Sequence, residues 1–315
     1  MWRARAKLAL MLDDERGVRR WRTRVGRHLR WARSEGIARL ADEDDLNPLT
    51  RMADATRRWR WRREYGVEPG QATPVWLVGV QRSGTNMVVQ GLTASPEFEV
   101  HNENDKRAFE HFRLRPDAVV RDIVLSSRHR YVLFKPLCDS HRVDELLAID
   151  TPMPGRAIWA YRSVDDRVRS ALAKFGDNNL QVLRQIAQGV GSGRWQAQRL
   201  SAANLELINS FDYDHMSAAS AAALFWLVRN SLYFDLALDR RADVLLSSYD
   251  ALVADPAAAM HQLCRFLGME WSPRLVAHVE PRPRLAELDL DPRIRAACDA
   301  LSERLEAARL VNQPA

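Results

Sequence analysis

The sequence is short of the features that would assign it to several large classes. Its three cysteines, Cys138, Cys264 and Cys298, are far apart and form no C-x-x-C pair. That pattern argues against a disulfide framework and fits a reducing compartment. No run of about 18 apolar residues is present, so no spanning helix is expected. The apolar stretch Leu8 to Leu12 is too short for a secretory signal, and a cytoplasmic location follows as the expectation. The eight histidines show no metal-ligand spacing, and no metal is expected. No internal repeat is visible.

What is there is uneven. Residues 1–70 carry 18 Lys and Arg against 11 Asp and Glu, whereas the other 245 residues are close to neutral. The same segment holds five of the ten tryptophans: Trp2, Trp21, Trp31, Trp59 and Trp61. Arginine interleaved with tryptophan suits an anionic membrane surface or nucleic acid. The preferred reading is a basic helical extension, residues 1–70, that packs its tryptophans and leaves its arginines in water. Three helices are expected in it, with a break near Asn47-Pro48 and an end at Pro69-Gly70. Peripheral membrane contact stays open for it, and no nucleic-acid partner is expected. Residues 71–315 form the second expected domain.

The stretch that organises that domain is Pro74 to Leu92. Val75 to Val80 is an apolar, β-branched run of the kind that makes a doubly buried strand. A polar turn, Gln81 to Gly84, follows, and a helix is expected from Thr85. Strand, glycine turn and helix N-terminus together form an anion site, because free N–H groups and the positive end of the helix dipole converge there. Gly79 and Gly84 have the G-x-x-x-x-G spacing of a P-loop, but Thr85-Asn86 stand where a nucleoside triphosphatase has Lys-Ser or Lys-Thr. Arg82 can supply the missing charge.

Further strands are expected at Phe98 to His101, Tyr131 to Lys135, Ala157 to Tyr161 and Asp243 to Ser247. Helices are expected through Arg128, over Val164 to Phe175, over Ser217 to Leu238, from Asp255-Pro256 to Gly268, and from Asp291 to Leu310. Strands alternating with helices predict an α/β fold, a mainly parallel sheet with helices on both faces. Gly189 to Gly193 reads as a break. Asn102-Glu103-Asn104-Asp105 falls at the carboxyl end of a strand, where such sheets place ligand chemistry.

Gln81-Arg82-Ser83-Gly84-Thr85 resembles the 5′-phosphosulfate loop of the sulfotransferases that use 3′-phosphoadenosine 5′-phosphosulfate (PAPS). Tyr161-Arg162 with Ser170 eight residues on is similar to their 3′-phosphate motif. Tyr249-Asp250-Ala251-Leu252-Val253-Ala254-Asp255-Pro256, with Phe266-Leu267-Gly268 beyond, resembles their Y-E-x-L-x-x-x-P…F-L-G segment. The helix with Trp226 and Asn230 stands where those families place a comparable one. The resemblance spans about residues 74–272 and is nearer the tyrosylprotein and carbohydrate enzymes than the cytosolic aryl enzymes. The latter carry Lys-Thr-His-Leu-Pro, whereas this strand ends Phe134-Lys135-Pro136-Leu137. Two departures stand out. Asn86 replaces a Thr or Ser, and the C-terminal R-K-G-x-x-G loop is absent, with Pro281-Arg282-Pro283-Arg284 as its candidate replacement.

The resemblance implies a P-loop-like sulfotransferase fold and sulfuryl transfer from PAPS to a hydroxyl or amine of a carbohydrate, glycolipid or small-metabolite acceptor. It implies Glu103 as general base, with Lys135 and Arg82 offsetting charge. Arg82, Ser83, Gly84, Thr85 and Asn86 would hold the 5′ end; Arg162, Ser170 and Tyr249 would hold the 3′-phosphate and adenosine. Glu99 and Asp105 stay open as alternative bases, with His101 and His141 as spares. A P-loop kinase and a non-catalytic basic binding module are the competing readings.

Overall fold

The computed structural model describes residues 48–311, apart from 192 and 282–284. The expected helices within 1–47, with Trp2, Trp21 and Trp31, and most of the Pro281–Arg284 segment therefore lie outside the described residues. The chain divides into two compact units, residues 1–59 and 60–315. Every described strand belongs to the second.

Five strands make one parallel sheet: β1 (Thr73–Gly79), β2 (Phe98–His101), β5 (Tyr131–Phe134), β6 (Arg156–Tyr161) and β7 (Val244–Ser248), in the spatial order β2-β5-β1-β6-β7. Two short strands, β3 (Phe109–Glu110) and β4 (Arg113–Leu114), pair separately as a hairpin. The first helices are α1 (Pro48–Tyr65), α2 (Thr85–Thr93), α3 (Asp117–Ser126) and α4 (Val143–Leu147). Then come α5 (Val164–Phe175), α6 (Asn178–Ala187), α7 (Ala202–Asn209), α8 (Ala218–Asn230) and α9 (Leu232–Asp235). The last three are α10 (Tyr249–Ala254), α11 (Pro256–Leu267) and α12 (Pro292–Val311).

The two-residue period of the strands divides the core into two layers. Trp76 and Val78 of β1, Val132 and Phe134 of β5, and Trp159 of β6 face one side, against α3, α5, α6, α8 and α12. Val75 and Leu77, Tyr131 and Leu133, and Ile158 face the other, against α2 and α11. The expectation of a parallel sheet covered on both faces is met. β1 lies at the centre, so the loop that follows it opens at the carboxyl edge of the sheet, between β5 and β6.

Two local expectations need correction. The helix expected from Ser217 to Leu238 stops at Asn230. Asn230 Nδ2 donates to the Trp226 carbonyl at 3.0 Å and Ser231 Oγ donates to the Leu227 carbonyl at 2.9 Å. These side chains compete for the carbonyls of the last turn, and Asn230 Oδ1 is drawn to Trp159 Nε1 at 3.3 Å. The segment between Asp105 and Asp117, expected to be helical, instead forms the β3–β4 hairpin. Its turn residues, His111 and Phe112, have φ of 50° and 66°, a two-residue turn that glycine or asparagine would ordinarily announce. Near the start of the second unit, Trp61 stacks on His129 with ring centroids 5.9 Å apart, whereas Trp59, in the first unit, is half exposed.

The end of β1 is fixed by one hydroxyl. The Gly79 N–H donates to Ser140 Oγ at 3.0 Å, and that hydroxyl faces the carbonyls of Gly79 and Leu137, each at 3.0 Å. Gly79 has φ of 129°, and a Cβ there would stand 2.2 Å from the Ala160 carbonyl oxygen of β6. Only glycine fits that approach. Because Ser140 is buried, Ser140→Ala leaves the Gly79 N–H without its partner and should cost about 1–3 kcal/mol of stability. Urea unfolding would read this, and a midpoint equal to that of the wild type would refute it.

Candidate active site

The loop after β1 builds a cradle. Gly84, with φ of 83°, precedes the first turn of α2, and its carbonyl accepts from the Met87 N–H at 2.9 Å. The first N–H groups of α2 have no intrahelical acceptor and stand at the positive end of the helix dipole. Ser83 N–H closes the turn onto the Val80 carbonyl at 3.2 Å, and its buried Oγ has no partner. Thr85 is buried and Asn86 is exposed. Arg82 adopts φ of 72°, unusual for a side-chain-bearing residue, and its Nε donates to Ser170 Oγ at 2.9 Å.

Gly84 also packs on the Tyr249 ring: a Cβ on this glycine would lie 2.1 Å from Tyr249 Cδ2. The Arg162 guanidinium lies over the same ring, 4.2 Å from its centroid. Arg162 pairs with Asp166 at 3.1 Å, and its Nε is buried without a partner, as is the Tyr249 hydroxyl. Trp226 Nε1 donates to the Arg162 carbonyl at 2.9 Å. Asp250, the residue after Tyr249, accepts from the Ser163 N–H at 2.7 Å and from its hydroxyl at 3.1 Å. The ends of β6 and β7 are thus tied together, and Arg162, Tyr249 and the loop form one contiguous set. Arg162 and Ser170, paired by the motif, contact different members of it.

On the other side of the loop, Lys135 extends from the end of β5. Its Nζ donates to Asn86 Oδ1 at 2.7 Å and stands 3.9 Å from Glu103 Oε2. Burial pushes the Glu103 carboxyl up; Lys135 opposes that shift and Asp139 adds to it, leaving the pKa at about 7. The other two carboxylates near the end of β2 behave differently. Burial would raise Glu99, but hydrogen bonds from His101 and from Ser127 Oγ (2.8 Å), with Arg107 nearby, bring it down to about 2. Asp105 is likewise lowered, since its hydrogen bonds from Arg107 and His101 outweigh burial. His101 is fully buried between these two acids and stacks on Phe134. His141 is pushed down to about 3 by burial and by Arg229, Arg113 and Arg142, so it is neutral and weakly basic. Of the five candidate bases, Glu103 combines a pKa near neutrality with a cation beside it.

Sequence reasoning missed Arg167. It belongs to the buried stripe Val164, Arg167, Val168 and Ala171 of α5, so an arginine on an apolar helix face was the available signal. Its Nε donates to the Gln81 carbonyl, the first residue of the loop, at 3.2 Å. No group of three or more His, Cys, Asp or Glu among the described residues could hold a metal ion.

No family model matches the chain, and no curated protein matches it. Solved structures do. A sulfotransferase from Alicyclobacillus acidocaldarius is 14% identical, with 77% of this chain and 97% of that chain covered at a TM-score of 0.41. The sulfotransferase domain of the Synechococcus PCC 7002 olefin synthase is also 14% identical, with 78% and 92% covered at a TM-score of 0.35. At such distances, what this site can do rests on its own residues.

Proposed function

We propose that the chain is a sulfotransferase that moves the sulfuryl group of PAPS to a hydroxyl or amine of a small-molecule or glycan acceptor. The observation that carries this reading is the position of Lys135, between Asn86 at the mouth of the anion cradle and Glu103, a carboxyl with a pKa of about 7. A base, a cation and an anion-binding loop within contact of one another are the parts that in-line transfer of an anionic group needs. The cradle also fits a ligand with an oxyanion at each end. Ser83 Oγ, Arg162 Nε and the Tyr249 hydroxyl are buried donors without partners, and both Arg82, in the loop, and Arg162, over the Tyr249 ring that Gly84 packs on, supply positive charge.

In the reaction, the acceptor oxygen or nitrogen forms a bond to sulfur as its proton passes to Glu103. The bond between sulfur and the bridging oxygen breaks, and that oxygen stays with 3′-phosphoadenosine 5′-phosphate. Arg82, Lys135 and the N–H groups of the loop offset the charge that develops on the oxygens. Arg162, Ser170 and Tyr249 would hold the 3′-phosphate and adenosine, and Thr85 and Asn86 the 5′-phosphate.

Calorimetric titration with 3′-phosphoadenosine 5′-phosphate, beside ATP with magnesium, tests the reading. The wild type should bind the former without metal. Arg162→Ala should weaken that binding about tenfold to a hundredfold, the range for losing a charge-assisted phosphate contact. Preference for magnesium-ATP would favour a kinase, and binding of neither nucleotide would sink the assignment.

A further inference from the structure

We propose that Arg167 is a positioning residue for anion binding, a fixed buried charge that orients the Gln81–Gly84 loop and makes it select a ligand bearing a 5′ oxyanion. The inference rests on the reading above for the identity of the nucleotide, not for the presence of an anion at the loop.

Arg167 is fully buried. Its guanidinium donates to the Gln81 carbonyl at 3.2 Å, to Asn179 Oδ1 at 3.3 Å and to the Ala222 carbonyl at 2.9 Å, and lies 5.2 Å from the centre of the Phe225 ring. Its Nη2 is buried without a partner, and no carboxylate among the described residues comes within ion-pair distance of it. An arginine so placed stays protonated at neutral pH. Burial, first, and the charge of Arg82 push its pKa down, so Arg82 and Arg167 repel one another. A buried charge without a partner is among the costlier features a core can carry.

The position of the contact explains what offsets that cost. Gln81 opens the loop, and with its carbonyl held on the cation the trans peptide turns the Arg82 N–H the opposite way, away from Arg167. The same charge reaches the loop through a low-dielectric interior, where its field is weakly screened. An oxyanion at the loop neutralises the Arg82–Arg167 repulsion as well as making its own hydrogen bonds. Arg167 thereby serves, from beneath, the charge requirement that a lysine after the second glycine would serve from within the loop.

The test compares two nucleotides that differ only at the 5′ end, 3′-phosphoadenosine 5′-phosphate and adenosine 3′-phosphate, with inorganic pyrophosphate as a third probe. Titrations would use the wild type, Arg167→Gln and Arg167→Lys. Arg167→Gln should lose about tenfold or more in affinity for the bisphosphate and for pyrophosphate and little for adenosine 3′-phosphate. Arg167→Lys, which keeps the charge, should stay within about threefold of the wild type for all three. Equal losses of both nucleotides in Arg167→Gln would mark a merely structural role and overturn the inference. So would an unchanged affinity for the bisphosphate. If Arg167→Gln does not fold, the lysine variant decides: retained affinity supports the role of charge, and a folded lysine variant that loses tenfold for the bisphosphate alone refutes it. Pyrophosphate binding that falls in Arg167→Gln, in a protein that ignores the bisphosphate, would sink the sulfotransferase reading and leave this inference standing. A wild type that binds none of the three overturns both.

Discussion

Glu103→Gln should lower kcat by about 10²- to 10⁴-fold, the usual contribution of a positioned general base, and leave the affinity for 3′-phosphoadenosine 5′-phosphate unchanged. The split follows from geometry: Glu103 faces Lys135, not Arg82, Ser83 or Arg162. The wild type should also show a pH dependence with a definite sign. The carboxylate is the active form, so kcat/KM should rise with pH, bend near pH 7 and level off above it. The stability effect runs the other way. The folded-state pKa is raised from 4.5 to about 7, so the folded protein holds a proton that the unfolded chain releases. Glu103 contributes stability fully below pH 4.5, and this contribution is lost as the pH rises through 7. Glutamine resembles the protonated form at every pH. At pH 8 the variant should therefore be more stable than the wild type, by roughly 1–3 kcal/mol. A variant that is inactive yet melts higher at pH 8, with the difference shrinking towards pH 4.5, is the expected pattern. Full activity in Glu103→Gln would shift the role of base to another group.

Much of this architecture was legible in the sequence because it depends on short-range rules. Val75 to Val80, Tyr131 to Phe134 and Ala157 to Tyr161 are apolar runs closed by glycine, proline or a polar residue, and each is a strand. The helix limits at Phe175 and Leu267 follow the glycines that come next. What escaped depends on contacts distant in sequence. Ser140 Oγ fixes a glycine 61 residues away. Asn230, read as part of a long helix, instead answers Trp159 across the core and helps to end it. The hairpin turn at His111-Phe112 has no glycine to announce it. For the site, the structure gives the motif residues contacts that the motifs did not state. Arg82 donates to Ser170, and Asn86 presents its carbonyl oxygen to Lys135. The resemblance pointed to Glu103, while residue type alone left Glu99 and Asp105 open beside it. The partners of Glu99 and Asp105, and the burial of Glu103, separate them in space.

Gly84→Ala should have a large effect on ligand binding, because two penalties coincide there. The first is conformational. Gly84 has φ of 83°, and a residue with a Cβ in the left-handed region costs about 1–2 kcal/mol. The second is steric: the new methyl would lie 2.1 Å from Tyr249 Cδ2, so ring or loop must move. Tyr249 is buried, and the guanidinium of Arg162 lies over its ring at 4.2 Å, which gives the displaced ring little freedom. A shift at the Gly84 loop therefore travels to Arg162 through one ring, and the affinity for 3′-phosphoadenosine 5′-phosphate should fall by about a hundredfold. The two penalties separate in a double-mutant cycle read by thermal or urea unfolding. Tyr249→Ala removes the ring that the methyl strikes and leaves the φ cost in place. The double variant should then be less destabilised than the sum of the single variants by about 1–3 kcal/mol, while Gly84→Ala still costs about 1–2 kcal/mol in the Tyr249→Ala background. Strict additivity would mean that the ring yields freely to the methyl, and the proposed coupling between the two ends of the site through Tyr249 would fail with it.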